Sequence, residues 1–331
     1  MHGNSAAPYR AVRITDGPLI DASTHSSIGD NIQGPSLVKV PNWVDNRLGD
    51  YYLYFADHKG SYIRLAYADD VAGPWTVHEP GSLHLADSLF LTQPPPVTEA
   101  QLDQIRATAK ERGVNLLHDV AIEVTTPHIA SPDVHIDAAN QRFVMYFHGL
   151  EGLGRQVSRV AISDDGINFV ALPETLEQTY LRVFEYDDMF YGLAMPGQLY
   201  RSANGIDGWE EGPRIFEPDM RHCAVRLIGD SLDVFWTRVG DAPERILLST
   251  VSLCGHWSTW VETESVDVLQ PELAWEGAGA PNEPSLRSVA YGLVNQLRDP
   301  AIFSEDDRLV LLYAFGGESG IAAAELHDLR G

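Results

Sequence analysis

Apolar and polar residues alternate in short runs along nearly the whole chain. "DYYLYFADHKGSYIRLAYADD", "RFVMYFHGL", "DDMFYGLAMPGQLYRS", "DSLDVFWTR" and "DRLVLLYAF" are rich in Tyr, Phe, Val and Leu at period two, and clusters of Gly, Asp and Asn separate them. Period two with aromatic and branched side chains predicts half-buried strands, and the separators predict hairpin turns. The runs also recur as a unit of strand, turn, aromatic-rich strand, loop, strand, Asp-rich turn and short strand. The unit starts at "GPSLVKVPNW", "ASPDVHIDAANQ", "YLRVFEYDD" and "MRHCAVRLIGD", and a fifth copy starts at "RDPAIF" but ends one strand short. The N-terminal "YRAVRITDGPLI" is a spare strand-like segment that can complete it and cover an open sheet edge. The pattern predicts an all-β five-bladed β-propeller, a single domain over residues 1–331, with its ring closed by the N-terminal strand.

Two stretches break the repeat. "VTEAQLDQIRATAKERGVN" spaces Leu102, Ile105 and Ala109 by three and four, with Thr98 as a cap and Gly113 as a stop. It predicts one inserted helix over about 97–113, between blades one and two. "ELAWEGAGAPNEPSLRSVAYGLVNQ" is a link into blade five longer than a plain connection needs, and it carries Glu283.

Composition narrows the function classes. In 331 residues, 44% hydrophobic, there is no charge block and no low-complexity tract, so the chain can bury a sizeable core. Lys and Arg total 23 against 47 Asp and Glu, a net charge of -24, which repels nucleic-acid phosphates and anionic membrane surfaces. No run of about 18 uncharged apolar residues spans a bilayer. The start "MHGNSAAPYR" lacks the basic-then-apolar order of a secretory signal, so a cytoplasmic location is expected. Cys223 and Cys254 are read as small buried hydrophobes.

In a propeller, the start of each innermost strand and the end of the second strand meet at one face around the axis. That rule brings Gln33 and Gly34 together with Asp57 and His58, and His128, Ser131 and Asp133 with His148. Arg182 comes from the third blade, Arg221, His222 and Arg238 from the fourth, and Arg298, Asp299 and Glu318 from the fifth. The Asp-rich turns at 68–70 and 163–166 are hairpin chemistry, and Trp75, Trp209 and Trp257 are expected in inter-blade packing.

"RDPAIF", "LLYAFGGESGIAAAEL" and "YADDVAGPW", in a chain long enough for five blades, resemble the five-bladed propeller glycoside hydrolases, the arabinanase, xylosidase and invertase superfamily of families 43, 32, 62 and 68. The resemblance implies hydrolysis of a glycosidic bond by acidic residues of the innermost strands, with Asp299 of the Arg-Asp-Pro motif stabilising the transition state or tuning the acid. The chain diverges in blade one, where "QGPSL" has Gly34 in place of the aspartate that the family shows before the proline. Asp30, four residues earlier, and Asp57 are candidate substitutes for the missing base or nucleophile, and Glu318, Glu283 and Asp133 are candidates for the proton donor. Family 43 implies an inverting reaction and no required cofactor.

Glycosidic cleavage needs a proton on the leaving oxygen while positive charge grows on the ring, a task two carboxyl groups in unlike environments can divide. Around them, His58, His128, His148, Arg182, Arg221, His222, Arg238 and Arg298 are candidates for binding substrate. Arginine forks recognise carboxylates, so an acidic sugar is one expected ligand; the alternative is that these arginines tie blades together through Asp133, Asp241, Glu244 and Asp299. Histidines from several blades also leave open a single metal ion on the axis. Two other functions compete: a uronate-directed lyase or isomerase using His and Arg, and a carbohydrate-binding propeller without chemistry.

Overall fold

The computed structural model describes residues 7–111 and 119–330. The N-terminal strands are β1 (Tyr9–Arg13) and β2 (Ile20–Asp21). Blade one holds β3 (Gln33–Lys39), β4 (Tyr51–Ala56), β5 (Tyr62–Ala68) and β6 (Thr76–His84). Blade two follows with β7 (Ile129–Asp137), β8 (Arg142–Gly152), β9 (Arg155–Ser163) and β10 (Val170–Leu176). Blade three has β11 (Thr179–Tyr186), β12 (Met189–Met195), β13 (Gln198–Ser202) and β14 (Glu210–Arg214), and blade four β15 (Met220–Ile228), β16 (Ser231–Arg238), β17 (Ile246–Ser252) and β18 (Val266–Leu269). In blade five, β19 (Leu297–Glu305), β20 (Arg308–Phe315) and β21 (Gly320–Asp328) are completed by β1, which runs antiparallel to β21 from Tyr9 opposite Asp328 to Arg13 opposite Ala324. Each sheet is antiparallel in chain order, so the expected five-bladed ring and its N-terminal closure are both present.

Second strands read as unbroken apolar runs because both of their faces are buried. In β4, Tyr52, Tyr54 and Ala56 pack towards blade two while Leu53 and Phe55 pack towards blade five. In β20, Val310 and Leu312 face blade one and Leu309, Leu311 and Tyr313 face blade four. Period two thus feeds alternate residues into two different inter-blade cores, and the described residues form five such cores, one per interface. Trp75, Trp209 and Trp257 belong to three of them, as expected. The Asp187–Asp188 turn takes φ of 51° and 57°, the left-handed pair a tight hairpin demands. The turn Ser163–Gly166 docks on the preceding blade through the Tyr54 hydroxyl, which donates to the Gly166 carbonyl at 2.7 Å.

Between blades one and two, α1 (Glu99–Glu111) occupies the expected helical segment, and its expected stop, Gly113, lies outside the described residues. A short second helix, α2 (Val120–Thr125), was not anticipated; Asp119 caps it by accepting from the backbone amides of Ala121 and Ile122. No described helix is long and apolar enough to cross a membrane. Cys223 is buried as expected, but Cys254 is exposed: it follows the end of β17, where the chain leaves the core.

Ring closure has a polar anchor. The fully buried Glu276 accepts from Arg13 Nε and Nη2, the Tyr313 hydroxyl and the amides of Glu272 and Leu273, at 2.7 to 3.1 Å. Glu276→Ala leaves Arg13 Nε and the Tyr313 hydroxyl without their acceptor, although Arg13 keeps Glu272 and the Gln270 carbonyl, and the expected cost is about 3 kcal/mol. Urea unfolding followed by tryptophan fluorescence measures it; an unchanged midpoint would remove Glu276 from the closure.

Candidate active site

All five innermost strands break register at the same height. The shifts fall between Gln33 and Ser36, Ala130 and Asp133, Thr179 and Arg182, Met220 and Cys223, and Arg298 and Ala301. In four of them the second residue is left-handed: Gly34 at φ 65°, Ser131 at 50°, Tyr180 at 56° and Asp299 at 48°. Pro35, Pro132 and Pro300 follow three of these, which suits a point where the ladder lacks an amide donor. A bulge re-aims its side chains, and here five bulges aim at one mouth on the axis. This is why charged Arg298 and Asp299 stand at the start of a buried strand.

Around the mouth runs an arc of rings. The centroids of His128 and His148 are 6.1 Å apart, His148 and Tyr180 4.5 Å, and Tyr180 and His222 4.2 Å. His222 Nδ1 then makes an ion-pair contact with Asp299 Oδ1, both side chains being almost wholly buried. Glu318 completes the circle: its Oε1 accepts from Arg298 at 2.8 Å, and its Oε2 accepts from Asn31 at 2.8 Å and lies 3.4 Å from His58 Nδ1. Behind them, buried Glu244 lies 3.1 Å from Arg221 and 3.5 Å from Arg298.

Electrostatics separates these groups. Burial alone would raise the Glu318 pKa, but His58, Arg298 and Asn31 together hold it far below the usual carboxylate range, so Glu318 is an anion. Burial pushes His128 down to about 3, helped by Lys59, and His148 well below the usual imidazole value, helped by His128 and His58. His222 is also lowered by burial, an effect that Asp299 opposes and Arg221 reinforces. Burial, then Asp299 and Glu318, keep the Tyr180 phenol protonated. Several buried polar atoms here have no hydrogen-bond partner in the protein: His148 Nδ1, Asp299 Oδ2, Glu244 Oε1, Gln33 Nε2 and Ser288 Oγ. Buried polar groups are normally satisfied, so such a concentration marks a place built to meet something from outside.

Other expected residues are placed elsewhere. Asp133 lies below the bulge, bonded to His135 at 2.8 Å and the Val183 amide at 2.9 Å, in an axial cavity of about 130 Å³ that all five innermost strands line. Arg182 shares that cavity and ties blades together, donating to the Cys223 and Pro132 carbonyls. Asp57 sits at the rim, 3.5 Å from Arg64. One placement is corrected and one kept. Arg238 leaves the axis because its guanidinium lies over Trp236 and donates to Glu217, whereas Glu283 lies, as expected, on the link loop, where it is exposed. The arginines at the mouth are committed within the protein: Arg221 to Glu244 and the Leu286 and Ser288 carbonyls, Arg298 to Glu318 and Gln296. Among the described residues no three His, Cys, Asp or Glu side chains stand in a metal-holding arrangement.

Gly34 is more than a missing carboxylate. A Cβ there would lie 3.0 Å from Ser131 Cα, and the backbone is left-handed. Gly34→Asp is expected to cost about 1–3 kcal/mol, read as a lower urea midpoint. Sequence reasoning missed Tyr180 and Asn31, whereas Glu244 faces Arg221 and Arg298 as the blade-tying alternative expected. Aligning the blades on Gly34, Ser131 and Asp299 would have found Tyr180, which holds the same repeat position; Asn31 carries no such signal.

Uncharacterized protein R118 of Acanthamoeba polyphaga mimivirus is 33% identical over 344 residues, covering 95% of this chain and 90% of its own length. The chain belongs to the R118 family. No family model matches it. Among solved structures, the GH43_1 enzyme from Xanthomonas citri complexed with xylotriose is 13% identical with a TM-score of 0.55, over 95% of this chain and 89% of that one. An N-acetylgalactosamine deacetylase from F. plautii, in complex with blood group B trisaccharide, is 12% identical with a TM-score of 0.56, over 96% and 95%. A GH130 structure, from work on glycoside hydrolases that target β-1,2 mannosidic linkages in Candida mannan, is 9% identical with a TM-score of 0.60, over 97% and 94%. At these identities the likeness is one of fold, the five-bladed propeller.

Proposed function

We propose that this protein is a saccharide hydrolase that works at the axial mouth, with His222 as the base that activates water and Asp299 holding its imidazole. One observation carries this: a buried imidazole in contact with a buried carboxylate at the point where the bulges converge. A neutral imidazole fixed through Nδ1 presents Nε2 to a water, takes its proton, and is stabilised as imidazolium by the carboxylate behind it. The propeller enzymes of the same fold that are solved with xylotriose and blood group B trisaccharide support a saccharide as substrate. Glycosidic cleavage by direct attack of that water is the first reading: the Tyr180 phenol, kept protonated and 4.2 Å ring to ring from His222, gives its proton to the leaving sugar oxygen and is restored by the His222 imidazolium, while Glu318, locked as an anion, stabilises positive charge on the sugar ring.

The pairing of the mouth arginines with protein acceptors weakens the case for an acidic sugar. A second reading has an observation of its own: a His–Asp base suffices for removing an acyl group from a sugar, and a carbohydrate deacetylase shares the fold. One panel separates the possibilities. Neutral, acetylated and uronate oligosaccharides are incubated with the protein, and new reducing ends, released acetate and ultraviolet-absorbing double bonds are measured. Reducing ends support the first reading and acetate the second. A double bond without water uptake establishes a lyase instead, and binding without product a sugar-binding propeller.

A further inference from the structure

We propose that the link before blade five carries a second sugar-binding position beside the mouth, with the Tyr291 ring as its platform and a neutral sugar unit as its ligand. This rests on the reading of the mouth as a saccharide site. The loop is pinned to the catalytic face on both sides of Tyr291. Before it, the Leu286 carbonyl accepts from Arg221, and the Ser288 carbonyl from both Arg221 and Arg298, at 2.7 to 3.2 Å. After it, the Gly292 carbonyl accepts from Ser319 Oγ at 3.3 Å and the Val294 amide donates to Gly316. Ser288 is held at φ 96°, a strained conformation that persists only because these contacts impose it.

Between the two anchors, Tyr291 is 68% exposed, flanked by Leu293 at 51% and Leu286 at 39%. Its neighbour Gly292 is bonded to Ser319, the residue after the mouth's Glu318, and partial burial, then Glu123, Asp57 and Glu318, push the Tyr291 phenol up. A sugar has an apolar C–H face and a hydroxyl edge. An aromatic ring covers the face, and neighbouring carboxylates accept from the hydroxyls. The rim cations do not favour an anion, because Lys59 lies 3.6 Å from Glu123 and Arg64 3.5 Å from Asp57, each already facing a carboxylate. The occupant is therefore a neutral unit one position outside the mouth, and the ligand is at least a disaccharide.

Calorimetry with xylose-, mannose- and galactose-based trisaccharides and their single sugars tests this on the wild type, Tyr291→Ala and Tyr291→Phe. The wild type is expected to bind one trisaccharide about 10-fold tighter than its single sugar. Tyr291→Ala should erase that preference while single-sugar binding persists, and Tyr291→Phe should keep it. An unchanged preference in Tyr291→Ala overturns the platform and leaves the mouth reading standing. No binding of any saccharide by the wild type overturns both.

Discussion

Turnover falls by about 10²- to 10⁴-fold when Asp299 is replaced by asparagine, the range that a positioned acid–base group contributes. Asparagine keeps the shape of the side chain but cannot stabilise the imidazolium that forms on His222 when it takes a proton from water. His222→Gln should lose a similar factor, and the double variant little more than either single one, because groups that act as a unit do not lose their contributions additively. The pH profile gives an independent check. The buried His222 has its pKa below the ordinary imidazole value, so it stays a neutral base into mildly acidic solution, and the acid limb of kcat/KM should have its midpoint below about 6.5. Asp299 pulls that pKa up, so in Asp299→Asn the residual activity should titrate at still lower pH. Undiminished turnover in Asp299→Asn would falsify the pair as the proton-handling element.

Stability should fall steeply between pH 6.5 and 4.5, and the cause is again the ring of histidines. Burial keeps His128, His148 and His222 neutral in the folded chain, whereas in the unfolded chain each takes up a proton below about 6.5. Below that pH the unfolded state binds more protons, so unfolding free energy decreases as pH drops. Each histidine contributes up to about 1.4 kcal/mol per pH unit, and three together about 4. The carboxylates act in a lower window. Glu318, Asp133 and Glu276 have depressed pKa values, so their stabilisation is complete above the unfolded carboxylate range of about 4 and is lost only beneath it. Urea midpoints at pH 7, 6 and 5 measure the slope, and His148→Gln should lower it by about a third. A flat profile would mean that these imidazoles are charged in the folded protein.

The period-two pattern and the fivefold recurrence of a four-strand unit determined the architecture. They dictate strands, hairpins and a count of five, and the missing last strand with a spare one at the N-terminus dictates how the ring closes. Asp299, His222, His148 and Glu318 could be placed at the mouth from topology alone, since strand starts and ends must meet there. Which groups face each other was settled by tertiary structure. Glu318 is an anion because Asn31, nearly three hundred residues away in sequence, donates to it alongside Arg298. Asp133 and Arg182 face a lower cavity because bulges turn their strands between Ala130 and Asp133 and between Thr179 and Arg182. Tyr180 joins the site through a left-handed backbone that no propensity assigns to tyrosine. Periodicity encodes which face of a strand is buried, but hydrogen bonds and ion pairs depend on distances between blades, and those exist only once the ring has closed.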